Sequence, residues 1–447
     1  MFITKPLCKW VRVSALFAFV IPSSGLVTAQ VELSLKECIA IGLENNYSVL
    51  ISRNNQMIFS NNITLGNAGY LPKITLTGQH SGVINNTRQN LFDGTTNSSS
   101  GIHNVFNNAS VSMNQTIFDG FRVQNTYKKL KEYGKVGELQ SRLSIENTVS
   151  RIVSEYYFLI WQERLLENMK YAVELSKERT RIDEERYLIG AGSKLQLLQS
   201  QAYLNADSSR LGRQYEVVRA SRIKLGTLLA LEESDGLVHT TVTLIDINQN
   251  LVYNQLLNST LSQNTALLIS ARNRNISEID SKIVASRAYP YLNFSAGYGF
   301  SYNTYESATV ANQRNLSPSY GLTLGFTIFD GNNRRREMRN AQIEIENRKL
   351  MQQQLNLEIR ADLLTIFSGY ANNLRLLELE TQNLQVAREN LEIALERYKL
   401  GALSGIEFRE VQKTFFDAEE RLLSIRFQAK LAEISLLQIS GNIMDYL

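Results

Sequence analysis

The pentapeptide Thr116-Ile117-Phe118-Asp119-Gly120 recurs unchanged as Thr327-Ile328-Phe329-Asp330-Gly331, and a second echo follows each copy. Glu185-Arg186-Tyr187-x-x-Gly190-Ala191-x-Ser193 returns as Glu396-Arg397-Tyr398-x-x-Gly401-Ala402-x-Ser404. The step from Gly120 to Tyr187, and from Gly331 to Tyr398, is 67 residues in both copies. One structural unit is therefore written twice. An interval that admits no insertion belongs to a rigid element rather than to a loop.

Residues 1–29 read as an export signal. Lys5, Lys9 and Arg12 precede an apolar stretch from Val13 to Ile21, and Val27-Thr28-Ala29 offers small residues at a cleavage site. That stretch is far short of the roughly 20 residues a spanning helix needs. Cys8 lies before it and Gln30 would begin the mature chain, so no Cys is placed for a lipid anchor. Without the three basic residues of the signal, 44 Lys and Arg of the original 47 face 43 Asp and Glu, a net of +1. Such a balance gives no argument for a nucleic-acid partner. Only Cys38 remains, which excludes an intrachain disulfide. No run of 18 apolar residues follows the signal, so the chain can cross a membrane as strands but not as a helix.

Four alternating runs supply those strands, at about 72–83, 109–118, 290–302 and 319–329. Leu292, Phe294, Ala296, Tyr298, Phe300 and Tyr302 alternate with small or polar residues, as do Tyr320, Leu322, Leu324, Phe326 and Ile328. Ala109, Val111, Met113 and Ile117 repeat the pattern, and Ile74 and Leu76 begin the weakest run. Each run is about ten residues, enough to span a bilayer tilted. Over 74–83, 109–118, 291–302 and 319–329 none carries the internal Lys or Glu that soluble sheets use to protect an edge. Pro72 and Pro290 mark the two places where a helical pattern gives way to an alternating one. Residues 84–108 and 304–317, rich in Asn, Ser, Thr and Gly, are expected to be exposed loops.

The remainder reads as helix. Val411, Phe415, Ala418, Leu422, Ile425, Ala429, Ala432 and Leu436 step alternately by four and three, and Leu197, Leu204, Leu211, Val218 and Leu225 fall every seventh residue. Such a period imposes left-handed supercoiled packing. Leu384, Ala387, Leu391, Ala394 and Tyr398 continue it with small residues that suit sheet-like neighbouring of many helices. The first repeat (30–231) is expected to hold helices over 34–69, 121–188 and 194–231, the second (252–447) over 252–288, 332–400 and 404–440. Residues 232–251 are expected only to link them. The two shorter helices of each repeat, stacked end to end, match the long one, which spans about 100 Å. The fold class is thus α+β, with four strands standing on long helical columns. Four strands cannot close a barrel in lipid, so more than one copy is required.

The signal, the doubled architecture, the Ile-Phe-Asp-Gly strand exits and the Arg-Tyr-x-x-Gly-x-x-Ser tips together resemble the TolC-like outer membrane efflux protein family, over essentially the whole mature chain. That resemblance implies a homotrimer with a twelve-stranded outer-membrane β-barrel and a coiled-coil α-barrel crossing the periplasm. It also implies a passive exit duct that works with a periplasmic adaptor and an inner-membrane transporter. The cargo would be small molecules such as drugs, or alternatively proteins of a type I secretion system. A periplasmic coiled-coil scaffold without membrane strands is the competing class.

Candidate residues follow from both lines. Asp119 and Asp330, each before Gly120 or Gly331, read as helix N-caps at a barrel–helix joint that includes Pro72 and Pro290. Arg334, Arg335, Arg336 and Arg339 follow the second joint and fit either a solvated face or contact with lipid headgroups. At the tips, Gly190, Gly192, Gly401 and Gly405 are expected to supply left-handed turns. The resemblance makes Tyr187, Gly190, Ala191, Ser193, Tyr398, Gly401, Ala402 and Ser404 adaptor-docking candidates. It likewise makes Tyr398, Glu407 and Glu410 candidates at a closed periplasmic aperture. Leu403 stands where some members have a locking Arg, and Gln196 replaces an acid, so any lock here must use other bonds, Tyr398 among them. No catalytic constellation is evident. His80, His103 and His239 have no carboxylate or Cys at metal-ligand spacing, and no phosphate-binding Gly-rich loop occurs, so neither a metal nor a cofactor is expected.

Overall fold

The computed structural model describes residues 31–232, 238–306 and 309–446, so the signal reading, with Lys5, Cys8, Lys9 and Arg12, lies outside the described residues. The first repeat runs β1 (Val31–Leu33), α1 (Leu35–Asn45), α2 (Tyr47–Asn61), α3 (Leu65–Ala68), β2 (Lys73–Asn90), β3 (Thr96–Asp119), α4 (Arg122–Leu188) and α5 (Lys194–Leu228). The second runs β4 (Val238–Thr240), α6 (Tyr253–Gln263), α7 (Thr265–Ser286), β5 (Tyr291–Thr304), β6 (Asn312–Gly325), α8 (Asn333–Lys399) and α9 (Gly405–Ile439), and a 3-10 turn over Ile443–Tyr446 follows.

The strands form one antiparallel sheet in the order β2-β3-β5-β6, leaving β2 and β6 as free edges. Residues 84–108 are not the loop the sequence suggested. β2 and β3 stay paired as far as Asn90↔Thr96, past a bulge between Asn85 and Thr87, and the chain turns only over 91–95. Asn, Ser and Thr on both faces erase the alternation there, but ladder hydrogen bonds are made by the backbone and persist without it. In the second hairpin β6 spans Asn312–Gly325 rather than 319–329. Its ladder stops at Tyr291↔Gly325 because β5 starts only at Tyr291, so Phe326 to Phe329 leave the sheet.

α4 and α8 are each 67 residues long, about 100 Å at 1.5 Å per residue. The helices expected over 34–69 and 252–288 are both interrupted. Asn46 ends α1 and caps α2 by accepting from Ser48 N, and its Nδ2 donates to Leu228 O at the end of α5. Asn264 repeats the device, accepting from Leu267 N and donating to Ile439 O at the end of α9. One side chain thus breaks a helix and pins the upper column end to end on the lower one. Along α4, α2 packs on the upper half and α5 on the lower; α7 and α9 flank its other side.

The main apolar core sits at mid-height. Cys38, Ile39, Val149, Ile152, Tyr156, Leu159, Leu225, Leu363 and Leu436 meet there. Burial, and then the Glu37 carboxylate, push the Cys38 thiol up to about 12, so it is inert packing. The segment 232–251 does more than link. β4 pairs in parallel with β1, and Ile245 and Ile247 enter the core. Asn248 N donates to Glu433 Oε2 while Lys430 and Tyr446 bind Glu433 Oε1 at 2.7 and 3.0 Å. The polar spelling of this segment concealed a structural belt.

Candidate functional site

The joints and tips place the candidate residues at opposite ends of the long helices. At each joint two consecutive residues take left-handed backbone, Gly120 and Phe121 at φ 68° and 69°, Gly331 and Asn332 at 68° and 63°. The helix N-caps are therefore Phe121 and Asn332, not Asp119 and Asp330. The aspartates still satisfy first-turn amides from outside the helix, Asp119 Oδ1 accepting from Val123 N and Asp330 Oδ2 from Arg334 N. A side chain at Gly120 would also strike Ser286 O, whereas at Gly331 it would meet nothing closer than 3.6 Å, so it is the left-handed backbone common to both joints that calls for glycine. Pro72 and Pro290 stand exposed immediately before β2 and β5.

At the tips both helix pairs turn alike. Gly190 and Gly401 have φ 75° and 79°. Ala191 N donates to Arg186 O, and Ala402 N to Arg397 O. Gly192 and Gly405, expected to be left-handed, are not. Gly405 is small because Arg179 Nη2 would lie 3.0 Å from an added Cβ. Ser193 and Ser404 are N-caps with capping boxes to Gln196 and Glu407. The hairpin itself therefore calls for these serines. Gln196 replaces an acid without loss because either side chain closes the box. The Ser404 amide and hydroxyl hold the Glu407 carboxyl below its ordinary range. Glu407 and Glu410 are both exposed on the first turns of α9.

The two tip tyrosines part company. Tyr187 is 40% exposed, whereas Tyr398 is 1% exposed and so does not reach the surface of the protomer. The Tyr398 hydroxyl donates to Asp183, Arg186 donates to the Tyr398 carbonyl, and the Tyr398 ring stacks on Phe408 at 4.8 Å. Burial, and then the Asp183 carboxylate, push the Tyr398 hydroxyl up to about 12. Buried Arg179 lies beside Asp183, with 3.9 Å between Nε and Oδ2. One turn of α4 from Arg179, at Ser176, Asp207 of α5 accepts from Arg409 Nη1 and Nη2 at 2.7 and 2.9 Å and from Ser176 Oγ at 2.6 Å. Burial alone would raise Asp207; the Arg409 and Ser176 hydrogen bonds outweigh it and hold the carboxyl below the usual range. These groups join α4 and α5 of one hairpin to α8 and α9 of the other. Sequence reasoning found Tyr398 but missed Asp183, Arg179, Asp207 and Arg409, because none belongs to the repeated motif.

It also missed the apex. Ile189, Leu195, Leu400 and Ile406 are all strongly exposed, and each pair is separated by the same 211 positions as Tyr187 and Tyr398. Apolar residues at equivalent exposed positions in both repeats were the available signal. Among the described residues no helix is long and apolar enough to cross a membrane, and no metal-binding group of His, Cys, Asp and Glu occurs.

The architecture has known counterparts. The chain matches the VceC outer membrane protein of Vibrio cholerae with a TM-score of 0.71 at 13% identity, over 91% of this chain and 96% of that one. It matches the CmeC outer membrane channel of Campylobacter jejuni at 0.74 and 17% identity, over 92% and 86%. The open state of the MtrE outer membrane channel of Neisseria gonorrhoeae gives 0.68 and 12% identity, over 98% of both chains. No curated protein matches by sequence. The profile of the family described as "Outer membrane efflux protein" matches residues 40–229 and 256–442, one segment in each repeat, and the chain belongs to that family.

Proposed function

We propose that the chain is the outer-membrane exit duct of a tripartite export system, passing small molecules from periplasm to exterior. An inner-membrane transporter supplies the energy and a periplasmic adaptor seats on the tips. The observation that carries this reading is the open protomer: a four-stranded sheet with both edges free, standing on long columns with one uncovered flank. Three copies would close the edges into a twelve-stranded barrel and join the columns into a tube. Efflux of small molecules is favoured over protein secretion by the prevalence of that role in the family.

In this reading the exposed tip residues Tyr187, Gly190, Ala191, Ser193, Gly401, Ala402 and Ser404, with apolar Ile189 and Leu400 beside them, form the adaptor seat. The Tyr398–Asp183 and Arg409–Asp207 bonds latch the second hairpin against the first and hold the periplasmic end narrow. Glu407 and Glu410 from three copies line the aperture as a ring of carboxylates that favours cations. Planar-bilayer recording tests the reading directly. The folded trimer should conduct, and Glu407→Gln with Glu410→Gln should lower cation selectivity and relieve block by multivalent cations. No conductance from folded trimer overturns the duct; unchanged selectivity moves the carboxylates out of the lumen.

A further inference from the structure

We infer that a cationic face at the barrel end of the long helices, built from Arg335, Arg339 and Lys128, binds the phosphate of anionic lipid headgroups in the periplasmic leaflet. The inference rests on the outer-membrane duct reading above. α8 begins with four arginines in its first seven residues and a single acid, Glu337. The helix dipole opposes cations at an N-terminus, so helix stability does not account for them. Two have local partners. Arg334 donates to Arg287 O, and Arg336 shares Glu337 with Arg287. Arg335 and Arg339, one turn apart on one face, make no hydrogen bond or ion pair with the described residues and are exposed. In the first repeat the counterpart of Arg339 is Lys128, also exposed and also without such a partner.

Helix geometry says which way this face looks. α4 meets α2 along the line of Gly134 and Gly137, where added side chains would strike Ile63 and Phe59. It meets α7 along the line of Lys129 and Glu132, which pair with Asp280 and Arg272. At about 100° per residue these lines divide the helix into arcs of about 140° and about 220°. On a closed ring of columns the wider arc is the outer one, and it carries Lys128 together with Gln124, the counterpart of Arg335. The same construction puts Arg334 on the α7 side, where its bond to Arg287 is found. Arg335 and Arg339 therefore face outward from the tube, about 3 and 9 Å below the first residue of α8. Immediately above them Phe326, Ile328 and Phe329 are exposed, the order expected where an apolar belt meets headgroups and long cationic side chains reach up to it.

A neighbouring copy cannot neutralise the cluster from the side. Repeat symmetry seats the neighbour's α2, α3 and β2 against α8, and residues 47–90 contain no Asp or Glu. The unmet charge calls for an anion from outside the protein, and at this height the anion is a lipid phosphate.

The test is native mass spectrometry of the trimer released from bilayers of equal phosphatidylcholine and phosphatidylglycerol. Retained lipid should be enriched in phosphatidylglycerol, by about fivefold for each cation engaged. The triple variant Arg335→Gln, Arg339→Gln, Lys128→Gln should lose the enrichment, while Arg335→Lys with Arg339→Lys should keep it. Equal retention of the two lipids by the unaltered protein, or unchanged enrichment in the triple variant, overturns the inference. Loss of the bound lipid to inorganic phosphate alone assigns a free-phosphate site and overturns it too. Conductance of the same preparations separates the two readings, because the duct stands if the trimer conducts without lipid preference.

Discussion

α4 and α8 have the same length, the same joint above and the same turn below, yet twenty-three positions of α4 are buried and only seven of α8. The difference is one of company rather than of sequence type. α4 lies between α2 and α5 on one side and α7 and α9 on the other, whereas α8 has only α7, α9 and a small contribution from α6. Leu175 and Ile182 of α4 are 4% and 7% exposed. Their counterparts 211 positions on, Val386 and Ile393, are 67% and 61% exposed. This flank is apolar in both repeats but covered in only one, and in the trimer proposed above repeat symmetry would cover it with α5 of another copy.

The two seams also differ in chemistry. Within the chain, Asp183 accepts from Tyr398, Asp207 from Arg409 and Ser176 Oγ from Gln412 Nε2. At the equivalent positions of the second repeat stand Ala394, Ala418 and Ala387. In the proposed trimer, repeat symmetry would bring Tyr187 of a neighbour opposite Ala394, with no carboxylate there to accept its hydroxyl. The seam inside the chain is latched by hydrogen bonds; in the trimer proposed above, the seam between chains would rely on apolar contact.

Breaking the uncovered flank should have the largest effect. Val386→Lys with Ile393→Lys places two charges in the inter-copy seam and should abolish the trimer on native mass spectrometry, since an unpaired buried charge exceeds what a neighbouring helix can repay. A trimer that survives both changes would place this flank in the lumen or outside the tube. The latch comes next. Tyr398→Phe should lower thermal stability by about 1–3 kcal/mol by leaving Asp183 without its donor, and should raise resting conductance in bilayers. Tyr187→Phe should do neither, and equal effects from the two tyrosines would remove the asymmetry between seams.

The smallest effect expected is on pH. Asp207 is held below the ordinary carboxyl range when folded, so its contribution is complete above the unfolded value of about 3.9 and is lost as pH falls through the lower folded one. Asp207→Asn should therefore be less stable than the parent at neutral pH and converge with it in acid. Tyr398 behaves oppositely. Its folded value of about 12 preserves its contribution below the unfolded value of about 10, and the contribution is lost as pH rises through 12. Melting temperatures of Asp207→Asn and its parent that stay parallel into acid would show that Asp207 is not ionised in the seam.

What the sequence determined is the part fixed by period and by repetition. Heptad spacing makes long helices and charge-free alternation makes strands, so the doubled order of strands on columns was legible, although the bounds of β6 were not. The motif shared by the repeats likewise marked the joints and tips, because left-handed glycines and capping serines are local requirements of a turn. Three things were decided only by tertiary structure. The arm over 84–108 is paired through its backbone, which leaves no trace in side-chain pattern. Asn46 and Asn264 break helices whose periodicity runs straight through, because the carbonyls they pin, on Leu228 and Ile439, lie far away in the chain. The latch unites Asp183, Asp207, Tyr398 and Arg409 from four helices. A partnership of that kind is a matter of distance in space, and only the packing of one hairpin on the other brings it within hydrogen-bond reach.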